Sequence, residues 1–304
     1  WSFNPSSSTI PKRFADCHIG GLARWTGNRF PICICSLALP ARLAGEGVAV
    51  GGEDRGGAVP RDVGHEPVDL VVAERLAADG ARVIVAGRTV ADLDAVASAI
   101  GGIAIPLDAA NRTNVEAFLQ TLRERDLTVD VLVNNAGIAE SATYDRTTDD
   151  QWDRIFAVNV TAPFQLCRGL VPAMAKAGWG RVVQIASNAG LTGYAYTSAY
   201  CASKHALIGY TRSLAMEVAR SGITVNAVCP GWVETDMAAA AAKRIAKKTG
   251  RDEDTARRTL ESMSPQGRMV TAGEVADLVS MLCTEGARGI HGQTIAQDGG
   301  QVMN

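Results

Sequence analysis

Two patterns of apolar and polar residues alternate along the chain from residue 71 onward: short apolar runs, and apolar residues at helical spacing. Short runs rich in β-branched residues predict buried strands at 81–86, 103–107, 129–133, 181–186 and 224–228. Apolar residues at helical spacing lie between them and predict helices at 71–79, 90–100, 112–125 and 199–221. The stretch 149–175 predicts two helical segments that break around Pro163 and Pro172. Strands that alternate with helices predict an α/β domain with a parallel sheet and helices on both of its faces.

Residues 1–70 lack this alternation and contain many Gly, Pro and Arg residues. We predict that 1–47 form an irregular or disordered extension, and that one domain spans 48–304 with an atypical beginning at 48–70. The segment 48–52 resembles a short strand with a glycine turn. A transit or signal peptide is an alternative, because the apolar stretch 30–44 follows several basic residues. Pro31 and Pro40 interrupt that stretch, which favours the extension.

The bulk composition is ordinary for a globular protein, with 47% hydrophobic and 20% charged residues in 304. A net charge of -2 gives no reason to expect binding to nucleic acid or to an anionic membrane. No apolar run reaches the ~18 residues of a membrane-spanning helix. The seven scattered cysteines argue against a disulfide framework and favour a reducing, cytoplasmic compartment. Cys33-Ile34-Cys35 has no second ligand pair at zinc spacing, so no metal site is expected.

The segment Tyr200-Cys201-Ala202-Ser203-Lys204 is the strongest chemical signal in the chain. In a helix, residues i and i+4 lie on one face, so the phenol and the ammonium reach the same place. A tyrosine with a pKa near ~10 is a poor proton donor or base at neutral pH unless a neighbouring cation stabilises its phenolate. Taken alone, the pair is also compatible with an exposed, purely structural contact.

Polar residues at strand ends and within helices add further candidates. Ser187 follows the predicted strand 181–186 and precedes Tyr200 by thirteen positions, where its hydroxyl would donate to a substrate carbonyl or cap a turn. Asn159 lies inside a helical stretch, where a buried amide needs partners. It would hold a water for proton relay, or satisfy the backbone of a bent helix.

Three turns that follow predicted strands are candidates for ligand contacts. Asn134-Asn135-Ala136-Gly137 combines residues that tolerate unusual backbone angles with small ones that let a flat ligand approach. Pro230-Gly231-Trp232-Val233-Glu234-Thr235 turns the chain and places a hydroxyl that would bind a carboxamide. Asp108 lies just after a strand and would accept from an amino group. A surface turn is the alternative for each.

These motifs stand in the order and spacing of the short-chain dehydrogenase/reductase family, and Asp298-Gly299-Gly300 resembles its C-terminal segment. The resemblance runs from about residue 71 to residue 304. It implies fold class α/β: a single, Rossmann-like, doubly wound domain. It also implies hydride transfer between a nicotinamide cofactor and a carbonyl/alcohol pair.

The resemblance further implies a role for each matching residue. Tyr200 would be the general acid/base, and Lys204 would lower its pKa and hold the nicotinamide ribose. Ser187 would orient and polarise the carbonyl, and Asn159 would anchor a water that relays protons to Lys204. The implied cofactor contacts are Asn134, Ala136 and Gly137 on the adenosine-ribose side, Asp108 near the adenine, and Pro230, Gly231, Val233 and Thr235 toward the nicotinamide.

The end of the predicted strand 81–86 bears on the choice of cofactor. Family members that use NAD carry an acid there, whereas this chain has Gly87 followed by Arg88. An Arg suits a 2′-phosphate, so we favour NADP(H), with NAD(H) as the alternative. The alternative is that Arg88 is only a solvated loop residue and binds no phosphate.

The family's glycine-rich loop after the first strand is missing from this chain. Such a loop brings the backbone close to the pyrophosphate at a helix N-terminus. Residues 51–57 are rich in glycine, but Pro60 and charged residues follow them. The missing loop, the Trp at position 1 and the abrupt change in residue pattern near residue 70 lead to one hypothesis. It is that the first ~70 residues are partly translated from a wrong reading frame. The alternative to an enzyme is then a catalytically impaired binding protein of the same fold.

The segment 237–270 offers the only clue to the substrate. It is rich in alanine and basic at Lys243, Arg244, Lys247 and Lys248. In the family this region covers the substrate, so its cations would meet the phosphates of an acyl-CoA or acyl-carrier protein. A solvated helix paired with the acids at 252–254 is the alternative. We predict a 3-oxoacyl thioester substrate, with a small or cyclic secondary alcohol as the alternative, and a homo-dimer or homo-tetramer.

Overall fold

The computed structural model describes residues 32–36 and 67–303, which form a doubly wound α/β fold around one parallel sheet. Seven strands lie in the order β3-β2-β1-β4-β5-β6-β7. The strands are β1 Ile32–Ser36, β2 Arg82–Gly87, β3 Ile103–Pro106, β4 Val131–Asn134, β5 Gly180–Ile185, β6 Ile223–Pro230 and β7 Thr294–Gln297. The strand order reverses between β1 and β4, the point where open sheets of this kind bind ligands beyond the carboxyl ends of their strands.

Helices cover both faces of the sheet, because each presents one apolar stripe to it. The helices are α1 Val68–Ala78, α2 Val90–Ile100, α3 Arg112–Glu124, α4 Asp149–Phe156, α5 Ala162–Ala177, α6 Ser198–Val218, α7 Asp236–Thr249, α8 Glu253–Glu261 and α9 Ala272–Cys283. Helices α1, α2 and α9 pack on one face, and α3, α5 and α6 pack on the other. Strands β4, β5 and β6 are buried along their whole length, as expected for strands covered on both sides.

The first strand corrects our prediction for the N-terminal region. Strand β1 lies within the predicted extension 1–47, yet it occupies the centre of the sheet and pairs in parallel with both β2 and β4. A run of only five residues is too short for periodicity to distinguish a strand from another apolar segment. The candidate strand at 48–52, the domain boundary at residue 48 and the region of the missing glycine loop lie outside the described residues.

The predicted helix break at Pro172 is wrong. The predicted break around Pro163 is a π-helical segment instead of a gap between helices. Residues 149–177 are helical throughout. A π-helical segment, Ala157–Thr161, joins α4 to α5. Pro163 lies in the first turn of α5, directly after the π-helical segment, and Pro172 lies inside that helix. The π-helical turn therefore marks the irregularity, and such turns often accompany functional residues.

Helices α7 and α8 form a small unit that follows β6. They bury a cluster of their own, and its members are Ala238, Ala241, Ala242, Ala246, Ala256, Leu260 and Met269. The small side chains let the two helices approach closely. In the part of the chain that the structure describes, no helix is both long and apolar enough to cross a membrane.

Candidate active site

The predicted catalytic residues meet at the carboxyl edge of the sheet. Ser187 comes two residues after the end of β5, and Tyr200 and Lys204 lie in the first turns of α6. Asn159 lies in the π-helical segment that leads into α5. Four elements that are distant in sequence therefore bring a hydroxyl, a phenol, an ammonium and an amide to one location.

Lys204 is almost completely buried, with 3% of its surface exposed. Its Nζ donates to the carbonyl oxygen of Ile185 at 2.8 Å, and it lies 5.7 Å from the centroid of the Tyr200 ring. Burial disfavours the charged form and lowers the pKa of Lys204 to about 8. The last residue of β5 thus holds the ammonium in place at the carboxyl edge of the sheet.

Tyr200 is half-buried, and the side chain of Ser187 lies near its phenol. Burial raises the pKa of Tyr200 above the ordinary value, and the interaction with Ser187 opposes this only in part. The direction differs from the expected lowering by Lys204. The reason is that the ammonium points toward the Ile185 carbonyl and stays 5.7 Å from the ring centroid, so desolvation of the phenolate prevails.

Asn159 is fully buried and holds the loop after β4 against α6. Its Oδ1 accepts from the Ile138 amide at 2.9 Å, while its Nδ2 donates to the Ile138 carbonyl and the Ser203 hydroxyl, each at 3.0 Å. The Ser203 hydroxyl donates in turn to the carbonyl of Tyr200 at 2.7 Å. Ser203 was not predicted, and its only sequence signal is its place within the Tyr200–Lys204 segment.

Two glycines allow the close approaches on which this arrangement depends. A methyl group at Gly190 would lie 2.9 Å from the backbone carbonyl carbon and oxygen of Lys204, so the turn after Ser187 rests directly on α6. A methyl group at Gly137 would lie 3.3 Å from Lys204 Nζ and 3.6 Å from Asn159 Oδ1. The missing side chain at Gly137 leaves room beside the Lys204 ammonium, where the predicted ribose hydroxyls would bind.

Cys229 is a second neighbour of the site that the sequence did not reveal. It lies on β6, is fully buried, and is close to the backbone of Ser187. Burial raises the pKa of its thiol to about 11, although the nearby Lys204 cation opposes this. At neutral pH it is therefore a neutral packing group beside the predicted catalytic residues, not a nucleophile.

The predicted cofactor residues follow the ends of the strands from β2 to β6. Arg88 is exposed just after β2, and Asp108 follows β3, where its Oδ1 accepts from the Ala110 amide at 3.0 Å. Asn134 differs from the prediction. Its side chain turns into the core, and its Nδ2 donates to Gln184 Oε1 at 2.9 Å. Its Oδ1 is buried and accepts no hydrogen bond from the described residues.

The turn after β6 lies beside the C-terminal strand. The Gly231 amide donates to the Gln297 carbonyl at 3.1 Å, and Val233 forms an isolated parallel bridge with Val270. Thr235 precedes α7, and its hydroxyl donates to the Val233 carbonyl at 3.3 Å. The residues predicted to face the nicotinamide thus follow Pro230 in one ordered turn.

Together, the doubly wound sheet and a Ser–Tyr–Lys group at its carboxyl edge define an oxidoreductase of the class that transfers hydride with a bound dinucleotide. The comparisons with known proteins specify the family. Residues 70–301 match a family model described as enoyl-(acyl carrier protein) reductase. The chain belongs to the short-chain dehydrogenase/reductase family and is an NAD(P)-dependent oxidoreductase.

Curated relatives and solved structures agree with this assignment. D-beta-hydroxybutyrate dehydrogenase of Cupriavidus necator is 36% identical over 241 residues, which cover 77% of this chain and 93% of the relative. The 3-oxoacyl-(acyl-carrier-protein) reductase of Escherichia coli is 36% identical over 238 residues, covering 78% and 93%. A variant of actinorhodin polyketide ketoreductase solved with NADPH has a TM-score of 0.76 at 30% identity, covering 89% of this chain and 97% of that structure.

Proposed function

We propose that the protein reduces the ketone of a 3-oxoacyl thioester to a secondary alcohol with NADP(H). The single observation that carries the chemistry is the convergence of Ser187, Tyr200 and Lys204 at the carboxyl edge of the sheet, with the Lys204 ammonium fixed by the Ile185 carbonyl. The relatives named for 3-oxoacyl and 3-hydroxybutyrate chemistry support a substrate with an oxygen at the third carbon. The reverse reaction uses the same residues.

In this mechanism the protein's own groups act on the carbonyl oxygen. Ser187 donates a hydrogen bond to that oxygen and holds the carbonyl carbon in position. Tyr200 gives its proton to the oxygen as negative charge develops there, and its raised pKa keeps the phenol protonated until then. Lys204 stabilises the resulting phenolate, and protons return through a water beside Asn159. When bound, the cofactor supplies the hydride.

The cofactor would lie along the edge from β2 to β6. Arg88 would bind the 2′-phosphate, Asp108 the adenine, and Ala136, Gly137 and the Asn134 backbone the adenosine-ribose side. Lys204 and Tyr200 would hold the nicotinamide ribose, and the turn from Pro230 to Thr235, including Gly231 and Val233, would border the nicotinamide. The space left at Gly137 beside Lys204 fits this placement.

Arg88 decides the cofactor preference in this proposal. We expect Arg88→Ala to weaken NADPH binding about tenfold or more, because a charge-assisted contact with phosphate is lost. NADH affinity should stay unchanged. Fluorescence titration of both cofactors measures this, with Arg82→Ala, at the opposite end of β2, as the control. Equal weakening of both cofactors would refute the preference, and a folded wild type that binds neither would favour the catalytically impaired binding protein.

The basic face of α7 supports a substrate that carries phosphate. Lys243, Arg244, Lys247 and Lys248 are all exposed, while the opposite face packs on α8. They form no ion pair with the described part of the chain, and Asp252 instead caps α8 by accepting from the Thr255 amide at 2.7 Å. At 1.5 Å per residue, these cations begin ~12 Å from Thr235 along the helix. A pantetheine arm spans a comparable distance.

We expect replacement of all four cations by Gln to raise KM for acetoacetyl-CoA about tenfold, since each surface contact contributes less than ~1 kcal/mol. KM for the N-acetylcysteamine thioester, which carries no phosphate, should not change. Arg123→Gln/Arg125→Gln, at the C-terminal end of α3, is the control. If both substrates are affected equally, the basic face does not recognise phosphate. If wild type prefers a cyclic or small ketone, the alternative substrate class is correct.

Two further expectations belong to the same proposal. We infer a homo-dimer or homo-tetramer that assembles through the helical stretches 156–175 and 199–221, because family members are typically oligomeric. Phe164 on α5 is 39% exposed and Met216 on α6 is 80% exposed, so apolar surface is available on these helices. We also propose a cytoplasmic location. We propose a small-molecule substrate as the partner, and neither nucleic acid nor a membrane.

A further inference from the structure

The turn at residues 298–301, called the C-terminal turn below, follows β7 and is fixed by its own carboxylate. Asp298 is buried, with 3% of its surface exposed. Its Oδ1 accepts from the amides of Gly300 and Gln301, each at 3.1 Å, and its Oδ2 accepts from the Val302 amide at 2.9 Å. Gly299 and Gly300 have φ values of +66° and +84°, which favour glycine. The turn therefore has one defined shape.

This turn packs against the loops that carry the catalytic and cofactor-side residues. Asn188, which follows Ser187 directly, donates from Nδ2 to Gln301 Oε1 at 3.1 Å and to Asp298 Oδ2 at 3.4 Å. A methyl group at Gly231 would lie 2.8 Å from Asp298 Cβ. The C-terminal turn is thus wedged between the loop after β5 and the turn after β6.

Gln301 makes a second contact, with the segment that joins Ser187 to Tyr200. Its Nε2 donates to the Tyr194 hydroxyl at 2.8 Å. The Tyr194 carbonyl also accepts from the Thr197 hydroxyl, at 3.0 Å, just before α6 begins. Burial and the negative charge of Asp298 raise the pKa of Tyr194, so its phenol stays neutral. One amide side chain therefore links the residue after Ser187 to the middle of this segment.

We propose that Gln301 is a positioning residue for the reduction. This inference rests on the proposed function, because it concerns the placement of Ser187 and of the Tyr194 segment beside the carbonyl. Both bonds of the Gln301 amide act on opposite ends of one stretch, from Asn188 to Tyr194. Without them, the Asn188 side chain keeps its longer 3.4 Å bond to Asp298, the Tyr194 hydroxyl loses its bond to the C-terminal turn, and the Ser187 hydroxyl loses its alignment. Small errors of alignment at a reacting centre reduce the rate strongly.

Gln301→Met, which keeps the length of the side chain and removes both hydrogen bonds, tests the proposal. We expect kcat to fall about tenfold with KM for NADPH unchanged, because alignment and not cofactor binding is affected. Tyr194→Phe should lower kcat as well, and the double variant should be no slower than the slower single variant. Gln120→Met on α3, far from the edge, is the matched control.

Hydrogen exchange of the full chain supplies a readout that does not depend on activity. Gln301→Met should speed exchange in residues 188–197 and leave α3 unchanged. Unchanged exchange in that segment overturns the proposal whatever the kinetics show. Losses of Gln301→Met and Tyr194→Phe that multiply in the double variant also overturn it. A wild type that reduces no carbonyl substrate refutes the proposed function, while the exchange result still decides whether Gln301 holds the segment.

Discussion

Tyr200→Phe should lower kcat for ketone reduction about 10³-fold, because the ring keeps its packing while the proposed proton donor to the substrate oxygen is lost. Lys204 cannot replace it, since its ammonium donates to the Ile185 carbonyl at 2.8 Å and lies over the ring, 5.7 Å from its centroid. NADPH affinity should change little. Single-turnover oxidation of NADPH, followed by absorbance, separates the chemical step from binding and release.

Tyr144→Phe is the matched control for this substitution. Tyr144 is 89% exposed and outside the group of catalytic residues, so its variant should behave as wild type. A Tyr200→Phe variant that is correctly folded and keeps kcat within about tenfold of wild type would show that general acid catalysis by this phenol is absent. The assignment of Ser187 and Tyr200 as the reacting pair would then fall.

Lys204→Met should make the protein more stable at pH 7 while impairing catalysis. Burial lowers the pKa of Lys204 from 10.5 to about 8. Such a shift corresponds to roughly 3 kcal/mol of destabilisation at pH 7, where the ammonium is charged in both states. Losing the hydrogen bond to Ile185 offsets about 1 kcal/mol of the gain. We expect the free energy of unfolding of the variant to exceed that of wild type by roughly 2 kcal/mol.

The pH dependence has a definite sign. Between pH 8 and 10.5 the unfolded chain binds more protons at Lys204 than the folded one, so wild type gains stability relative to the variant as pH rises. Urea unfolding of both proteins from pH 7 to 10 measures the difference, which should shrink over this range. Lys176→Met, on the exposed side of α5, should give no such trend. A difference that is constant with pH would mean that Lys204 is not buried as described.

Much of the fold could be predicted because its signals are local. The helix at 90–100 was predicted with the bounds observed, since an N-terminal polar residue and Gly101 frame an apolar stripe. The group formed by Ser187, Tyr200 and Lys204 was also predictable. Strand ends and helix faces follow from periodicity, and parallel strands bring their carboxyl ends to one edge.

The errors have the opposite origin, because each depends on contacts between distant segments. Strand β1 is defined by pairing with β2 and β4, which no property of Ile32–Ser36 alone reveals. The inward turn of the Asn134 side chain depends on Gln184, fifty residues away. The unpredicted rise in the pKa of Tyr200 depends on how deeply the phenol is buried and where the Lys204 ammonium points.

By itself, the sequence determined the class of fold and the hydride-transfer chemistry, and it predicted the residues that we propose for the proton transfer. These are encoded by residue type and short-range spacing, which periodicity and motif order express directly. Only the tertiary structure decided what surrounds those residues. Gln301 reaches Asn188 across 113 positions and Tyr194 across 107, and Lys204 loses water only when β5 and α6 pack together. Desolvation and long-range hydrogen bonds exist only once the chain has folded. They therefore determine the pKa values and the alignment of side chains whose chemical type the sequence already specifies.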